Sequence, residues 1–310
     1  MDPSARSTSG RYVSSIVVTY NSTEHLPAFF ESLEEALLAV PKHEVIVVDN
    51  ASTDGSLDES RFLLPDVKTV RLSENRGYAA GLNAGATYAR EGSDFLILNP
   101  DIRLSPNSVS ALLGRLDNDS TVGIVVPRLC DQEGRLLRSL RREPTVLRAM
   151  GEAFLGGRRA GRIPALGEVV QSHADYEERG TAAWASGAAM LISRECWEAV
   201  GPWDESFFLY SEEVDFALRA RDAGFSLFYE PSATAIHVGG EAHVDPELWT
   251  LLTTNRVRFF ARRHGRAITT AYWLVLTVGE GLRSLPGHRT HRTAFLELLR
   301  QRAQLLNSQA

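Results

Sequence analysis

A chain of 310 residues, 44% hydrophobic and 23% charged, has the make-up of a soluble globular protein and room for one large domain or two smaller ones. Its two cysteines, Cys130 and Cys196, stand far apart in no metal-type spacing, which excludes a disulfide framework or zinc module and fits reduced thiols in the cytoplasm. The net charge of −6 hides an asymmetry: Leu248 to Ala310 carries ten arginines against two glutamates, a local +8 that leaves −14 for the rest.

Met1 to Gly10 is polar and small, without the apolar core of a secretory signal, and a disordered tail is expected over residues 1–12. Val13 to Tyr20 reads as a first strand, broken by Asn21-Ser22. From Thr23, Leu26, Phe29, Phe30, Leu33 and Leu37 repeat at helical spacing until Pro41. Val45 to Val48 is a second strand, running into Asp49 to Ser56, and Val67 to Leu72 a third. Asn75-Arg76-Gly77 then opens a glycine-rich helix to about Arg90. Phe95 to Leu98 is a fourth strand, apolar enough to be buried on both faces. Strands and helices alternating with short connections predict an α/β fold, a mainly parallel sheet between helices.

Each of these strands ends in polar or acidic residues. In open α/β sheets ligands bind beyond the carboxyl ends of the strands, so Thr19, Asn21, Asp49, Asp54 and Asp101 are expected to share a crevice. Pro100 lacks an N–H and stops the fourth strand, which sets Asp101 just past its end. A carboxylate there, with the Asn99 carboxamide two residues before it, suits a divalent cation that holds a diphosphate; the same Asn-Pro-Asp also suits a plain turn. The run Gly77 to Gly85 lacks the spacing G-x-G-x-x-G and follows the third strand, which excludes a dinucleotide fingerprint. Its glycines serve either close helix packing or a ligand.

Pro106 to Leu116 reads as a helix, Val122 to Val126 as a strand and Asp131 to Gly134 as a hairpin tip. Residues 141–180 pattern poorly and are expected to form a mobile, partly helical insertion over the site. Order returns at Trp184 to Ile192, whose small residues would let backbone approach a ligand. Glu212, Glu213 and Asp215 open a further helix. The helix dipole accounts for one or two acidic residues there. Three within four positions repel one another, and in a crevice that raises at least one pKa. Phe225 to Tyr229 is a last strand, and after Pro231 the segment with His237 returns towards the acidic cluster.

Together, Val17-Val18-Thr19-Tyr20-Asn21, Val48 to Gly55, Asn75-Arg76-Gly77 with Gly81 and Asn83, Asn99-Pro100-Asp101, Trp184 to Gly187 and Glu212 to Asp215 resemble inverting glycosyltransferases of family 2, with the GT-A fold. Within that family the resemblance is strongest to bacterial rhamnosyltransferases acting on polyprenyl-diphosphate-linked N-acetylglucosamine. The resemblance implies that Thr19, Tyr20, Asn21, Asp49 and Asp54 hold the base and ribose of a nucleotide-sugar donor, dTDP-rhamnose. Arg76, Asn83 and Asn99 would lie near the diphosphate and sugar. Asp101, with His237, would bind Mg2+ or Mn2+. Glu213 falls at the catalytic base, with Glu212 as the alternative, and Trp184, Ser186, Glu212 and Asp215 would line the acceptor side. Rival readings are UDP-galactofuranose or UDP-N-acetylglucosamine as donor, or a non-catalytic sugar-nucleotide-binding scaffold.

These assignments divide the chain into a glycosyltransferase domain at 13–245 and a basic helical tail at 246–310. In the tail, Trp249, Val257, Phe259 and Phe260 alternate with Arg256, Arg258, Arg262 and Arg263, followed by an apolar stretch from Ala271 to Val278. That stretch is too short to span a bilayer, which needs about 20 residues. A basic, aromatic, amphipathic segment predicts peripheral contact with the inner face of the cell membrane and no nucleic-acid partner. A helical cap or a homodimer contact is the alternative.

Overall fold

Period-two alternation in the first strand explains the layering of the chain. In the computed structural model, which describes residues 10–239, 245–285 and 287–306, β1 (Val13–Thr19) is buried along its whole length. Val13 and Val17 face one core, with α1 (Leu26–Leu37), while Ile16 and Val18 face the other. β2 (His43–Asp49) does the same with Val45 and Val47 against Ile46 and Val48. After α2 (Ser56–Leu63) and β3 (Lys68–Arg71) comes α3 (Tyr78–Tyr88), which lies on the second face. A Cβ on Gly81 or Gly85 would meet Val18 or Ile16 at 2.6 or 2.5 Å, so these glycines let the helix sit against β1. β4 (Asp94–Leu98), the short β5 (Ile102–Leu104), α4 (Ser108–Asn118) and β6 (Val122–Cys130) follow, with α4 beside α1 on the first face.

The insertion contains β7 (Leu140–Arg141), α5 (Val146–Leu155), α6 (Gly157–Ala160) and α7 (Ala174–Glu177). Then come β8 (Gly180–Ala182), β9 (Trp184–Ala185), β10 (Ala189–Ile192), α8 (Arg194–Val200), α9 (Glu212–Asp222) and β11 (Ser226–His237). The main sheet runs β3-β2-β1-β4-β10-β6-β11-β5, with β8 on β11, and β7 pairs with β9. It is parallel from β3 to β4, and β10 enters antiparallel between β4 and β6. This mixed, mainly parallel sheet between helices is the expected class.

Three expectations shift. The last strand continues through Pro231 to His237, because its pairing with β6 slips between Glu230 and Thr234 and so spares the proline a ladder bond. β5 was not read from the sequence, being three residues long. Arg11 and Tyr12, read as tail, are tied down: Arg11 pairs with Asp94 at 2.9 Å and Asp117 at 2.8 Å, and the Tyr12 carbonyl accepts from the Asp94 N–H.

The C-terminal helices α10 (Pro246–Arg263), α11 (Arg266–Ser284), α12 (Arg289–Arg300) and α13 (Arg302–Leu306) are part of the folded body. Val257, Phe260, Tyr272, Trp273 and Leu298 form a third core with Ala149 of α5. Phe259 packs with Phe207, Val214 and Leu218, joining α10 to α9. Arg256 is wedged between Glu152 at 3.2 Å and Glu168 at 2.8 Å, Arg262 pairs with Asp204, and Arg263 with Asp222. Three of the ten tail arginines are therefore paired with carboxylates of the acidic body.

Candidate active site

Parallel register sets Thr19 beside Asp49 at the carboxyl edge, with Leu98 one strand over beside Val17. Thr19 Oγ1 donates to Asp49 Oδ1 at 3.3 Å, and both residues are buried. The loops beyond bend sharply: Asn21 and Ala51 adopt φ of 51° and 62°, a left-handed conformation that costs non-glycine residues free energy and clusters at functional sites. Thr53 N–H donates to Asn21 Oδ1 at 2.9 Å. Asp54 is a clamp between the loops, accepting from the N–H groups of Thr23 and Ser56 and from the Ser56 hydroxyl. Burial alone would raise its pKa, but those bonds outweigh it and pull the carboxyl down to about 2. The Tyr20 ring stands exposed beside this edge.

The next wall is the start of α3. Gly77 has φ of 87°, and a Cβ there would meet the Phe208 carbonyl oxygen at 2.1 Å, so only glycine lets residues 203–210 close over it. Glu205 ties the wall together, accepting from Arg76 Nη2 at 2.7 Å and Asn83 Nδ2 at 3.0 Å. Asn83 also bonds both backbone groups of Trp203, which commits its carboxamide to holding that loop.

Asp101 and His237 meet because β5 pairs antiparallel with β11, setting Ile102 opposite His237. His237 Nε2 lies 3.2 Å from Asp101 Oδ2, with the side chains 20% and 16% exposed. Burial would raise the Asp101 carboxyl, but the His237 hydrogen bond and charge outweigh it and hold it low. A Cβ on Gly239 would fall 2.1 Å from Asp101 Oδ2, so glycine keeps this corner open. No cluster of three or more acidic, histidine or cysteine ligands occurs among the described residues. A carboxylate and an imidazole, partly open to solvent, are donors that would suit a divalent cation.

Across this crevice lies the start of α9. Tyr210 and Ser211 precede it with φ of 66° and 78°, and Asn255 of α10 donates to the carbonyls of Leu209 and Tyr210. Glu212 and Glu213 each keep one buried carboxylate oxygen without a hydrogen-bond partner. Burial, and for Glu212 the adjacent Glu213, push both carboxyls above the ordinary range. Glu213 abuts Gly187, where a Cβ would be 3.4 Å from its own Cβ. The Tyr78 hydroxyl reaches the Gly187 carbonyl at 3.5 Å, and burial together with the charges of Glu212, Asp101 and Glu213 raises its pKa. Those three carboxylates thus all act on the buried Tyr78 hydroxyl.

Trp184 donates its indole N–H to the Arg142 carbonyl at 3.1 Å, under the Arg141 guanidinium at 5.7 Å. Ser186 N–H donates to the Ser139 carbonyl. Asp215 is turned to Arg219 at 2.8 Å, which in turn bonds the carbonyls of Val200 and Pro202. Asp101, His237, Glu212 and Glu213 therefore converge, whereas Asp54, Asn83 and Asp215 serve the loops around them. Sequence reasoning missed Tyr78, Glu205, Gly239 and Asn255, whose contacts are all long-range.

The sequence profile described as glycosyl transferase family 2 matches residues 14–173. An N-acetylglucosaminyl-diphospho-decaprenol L-rhamnosyltransferase of Mycobacterium tuberculosis is 31% identical over 234 residues, covering 72% of this chain and 74% of that protein. A mannosyltransferase of Pyrobaculum calidifontis, solved with GDP-Man and Mn2+, superposes with a TM-score of 0.60 at 18% identity, covering 99% of this chain and 90% of that one. The structure of S. aureus TarS 1-349 with UDP-GlcNAc superposes with a TM-score of 0.55 at 17% identity, covering 96% and 79%.

Proposed function

The chain belongs to glycosyltransferase family 2, and from that premise we propose that it transfers L-rhamnose from dTDP-rhamnose to a hydroxyl of a polyprenyl-diphosphate-linked N-acetylglucosamine, inverting the anomeric carbon. What supports this reading is the Asp101–His237 pair past the carboxyl edge of the sheet, together with Asp101, Glu212 and Glu213 all acting on the buried Tyr78 hydroxyl. The donor lies along the edge from Thr19 and Asp49 to Asp101. The acceptor enters past Trp184 and Ser186, at the inner face of the cell membrane, where its lipid is anchored.

Asp101 and His237 would hold a divalent cation, which when bound neutralises charge on the leaving diphosphate. Arg76, beside that wall, adds a second positive charge. Glu213 acts as general base: its carboxylate takes the proton of the acceptor hydroxyl as that oxygen bonds to the sugar C1. The C1–O bond to the diphosphate breaks on the opposite face, and its electron pair leaves with the nucleoside diphosphate. Burial of Glu213 raises its proton affinity, which suits a base that must accept a proton near neutral pH.

Calorimetry with dTDP-rhamnose, UDP-galactofuranose and UDP-N-acetylglucosamine, each with and without Mn2+ or Mg2+, tests the donor. Binding of dTDP-rhamnose alone, strengthened by metal, is expected; preference for another donor overturns the rhamnose assignment. NMR of the product reads the configuration at C1, and retention would remove the single displacement.

A further inference from the structure

The folded tail leaves one apolar face uncovered, and it is shared with the insertion. α11 carries no charge between Arg266 and Glu280. Tyr272, Trp273 and Leu276 point into the third core, yet Leu274, Val278 and Leu282 point outward, with Leu274 53% exposed. α5 packs beside it along a seam where a Cβ on Gly279 would touch Ala153 at 3.0 Å and Arg283 Nη2 donates to the Glu152 carbonyl at 2.7 Å. On the outer side of α5, Leu147, Met150 and Phe154 are exposed at helical spacing, Phe154 by 60%. Two adjacent helices thus turn apolar stripes to solvent, a larger feature than the scattered exposed side chains of an ordinary surface.

Arginines border this face. Arg158 and Arg159 follow α5 in α6, and Arg162 lies one turn on. None of the three pairs with a carboxylate among the described residues, unlike Arg256, Arg262 and Arg263. We infer that this face of α5 and α11 docks on an anionic lipid bilayer, the apolar side chains entering the headgroup boundary and the arginines meeting lipid phosphates. Unpaired arginines favour an anionic surface over a second copy of the chain, which would bring further positive charge to the same contact. No helix among the described residues is long and apolar enough to cross a membrane, so the contact is peripheral. α5 begins shortly after Arg142, whose carbonyl accepts from the indole of Trp184, the residue proposed for the acceptor side.

The inference deepens the reading of a lipid-linked acceptor, and its binding measurement needs neither donor nor acceptor. The full chain is sedimented with phosphatidylcholine vesicles and with vesicles containing about 30% phosphatidylglycerol, a stand-in for an anionic leaflet. Binding to the anionic vesicles alone is expected. Phe154→Ser with Leu274→Ser, and separately Arg158→Glu with Arg159→Glu, each weaken it at least about tenfold. All four positions are exposed, and unchanged circular dichroism and unchanged turnover on a short-chain, water-soluble acceptor confirm an intact fold and site. Equal binding by either variant, or no binding by the parent, overturns the inference. A dimer in sedimentation velocity that the Phe154→Ser, Leu274→Ser variant abolishes would put a second copy on the face and overturn it too. Loss of transfer activity with vesicle binding intact would instead count against the proposed reaction.

Discussion

Asn255 lies 45 residues beyond Tyr210, yet its side-chain N–H2 donates to the Leu209 carbonyl at 2.9 Å and the Tyr210 carbonyl at 3.2 Å. Two successive left-handed residues, Tyr210 and Ser211, then turn the chain into Glu212 and Glu213. Such backbone costs about 1–3 kcal/mol per residue and persists only when its surroundings over-determine it. The buried carboxamide of α10 is one of those surroundings. Asn255→Ala leaves both carbonyls short of a donor, a loss of about 1–3 kcal/mol, and lets the turn relax. We expect turnover at saturating donor to fall about tenfold while donor affinity by calorimetry stays within about twofold. Asn255→Asp cannot donate to either carbonyl and should be at least as damaging.

The Asp101–His237 pair predicts an unequal response to mutation. If Asp101 holds the proposed cation, Asp101→Asn removes its charged oxygen ligand, and any metal-dependent part of donor binding should disappear. His237→Ala leaves the carboxylate but removes its partner, and should raise the Mn2+ concentration needed for half-maximal donor binding by about tenfold or more. Titrating Mn2+ into each variant with dTDP-rhamnose present checks both. Equal, undiminished responses would take these residues out of the metal site.

Glu213→Gln should lower turnover by about 10²- to 10⁴-fold and leave donor binding unchanged, because the amide keeps the shape and loses the base. The pH profile of the unmodified enzyme adds a sign. The Glu213 carboxyl is raised above its usual 4.5, so turnover should rise with pH through a midpoint above that value. A midpoint at or below the ordinary carboxylate value would point to a more solvated base.

The strands and their polar ends were legible because each carries an apolar run that stops abruptly, as Phe95 to Leu98 does before Asn99-Pro100-Asp101. The side-chain pairings were not legible. His237 stands beside Asp101 only because three-residue β5 pairs with the far end of β11, and no periodicity announces a strand that short. Only family resemblance singled out His237 for the metal. In the tail, composition recorded aromatics and arginines but could not say which faced inward. Phe259, Phe260 and Trp273 are buried, and Arg256 finds Glu168 across 88 positions of sequence. The exposed stripe belongs to other residues of the same helices and to α5, which the sequence suggested only as part of a partly helical insertion.

Glu212 gives a prediction about stability. Its folded-state pKa is raised by burial and by Glu213, so the folded chain holds a proton that the unfolded chain releases. The stability this contributes is full below the unfolded value and is lost as pH rises through the folded one. Near neutral pH the buried acid is therefore a burden. Glu212→Gln should raise the melting temperature at pH 7.5 by about 2 °C, the shift that about 1 kcal/mol gives in a chain of this size, and the gain should vanish near pH 4. Calorimetric scans at the two pH values check it; a uniform gain would point to packing instead of charge.

Arg256 joins the insertion to the tail, meeting both Glu152 and Glu168 inside the protein. Its side chain is partly buried, Glu168 is buried, and the Tyr272 ring of α11 lies in the same cluster. Removing one partner of a buried ionic group costs about 3–5 kcal/mol, since the remaining charges lose their compensation. Arg256→Met strands the buried Glu168 and the partly buried Glu152, and should lower stability by about 2–3 kcal/mol, less than that full amount because the pair keeps some solvent. Arg258→Met, on the same helix, gives up a contact of only 3.5 Å to Asn255 and should cost under about 1 kcal/mol. Urea unfolding of the two variants separates a tail that is built into the fold from one that merely rests on it. Equal midpoints would mean that α10 contributes through its apolar side chains alone. A much lower midpoint for Arg256→Met would make the ion cluster the link between the helical tail and the insertion, and through Asn255 a support of the catalytic turn.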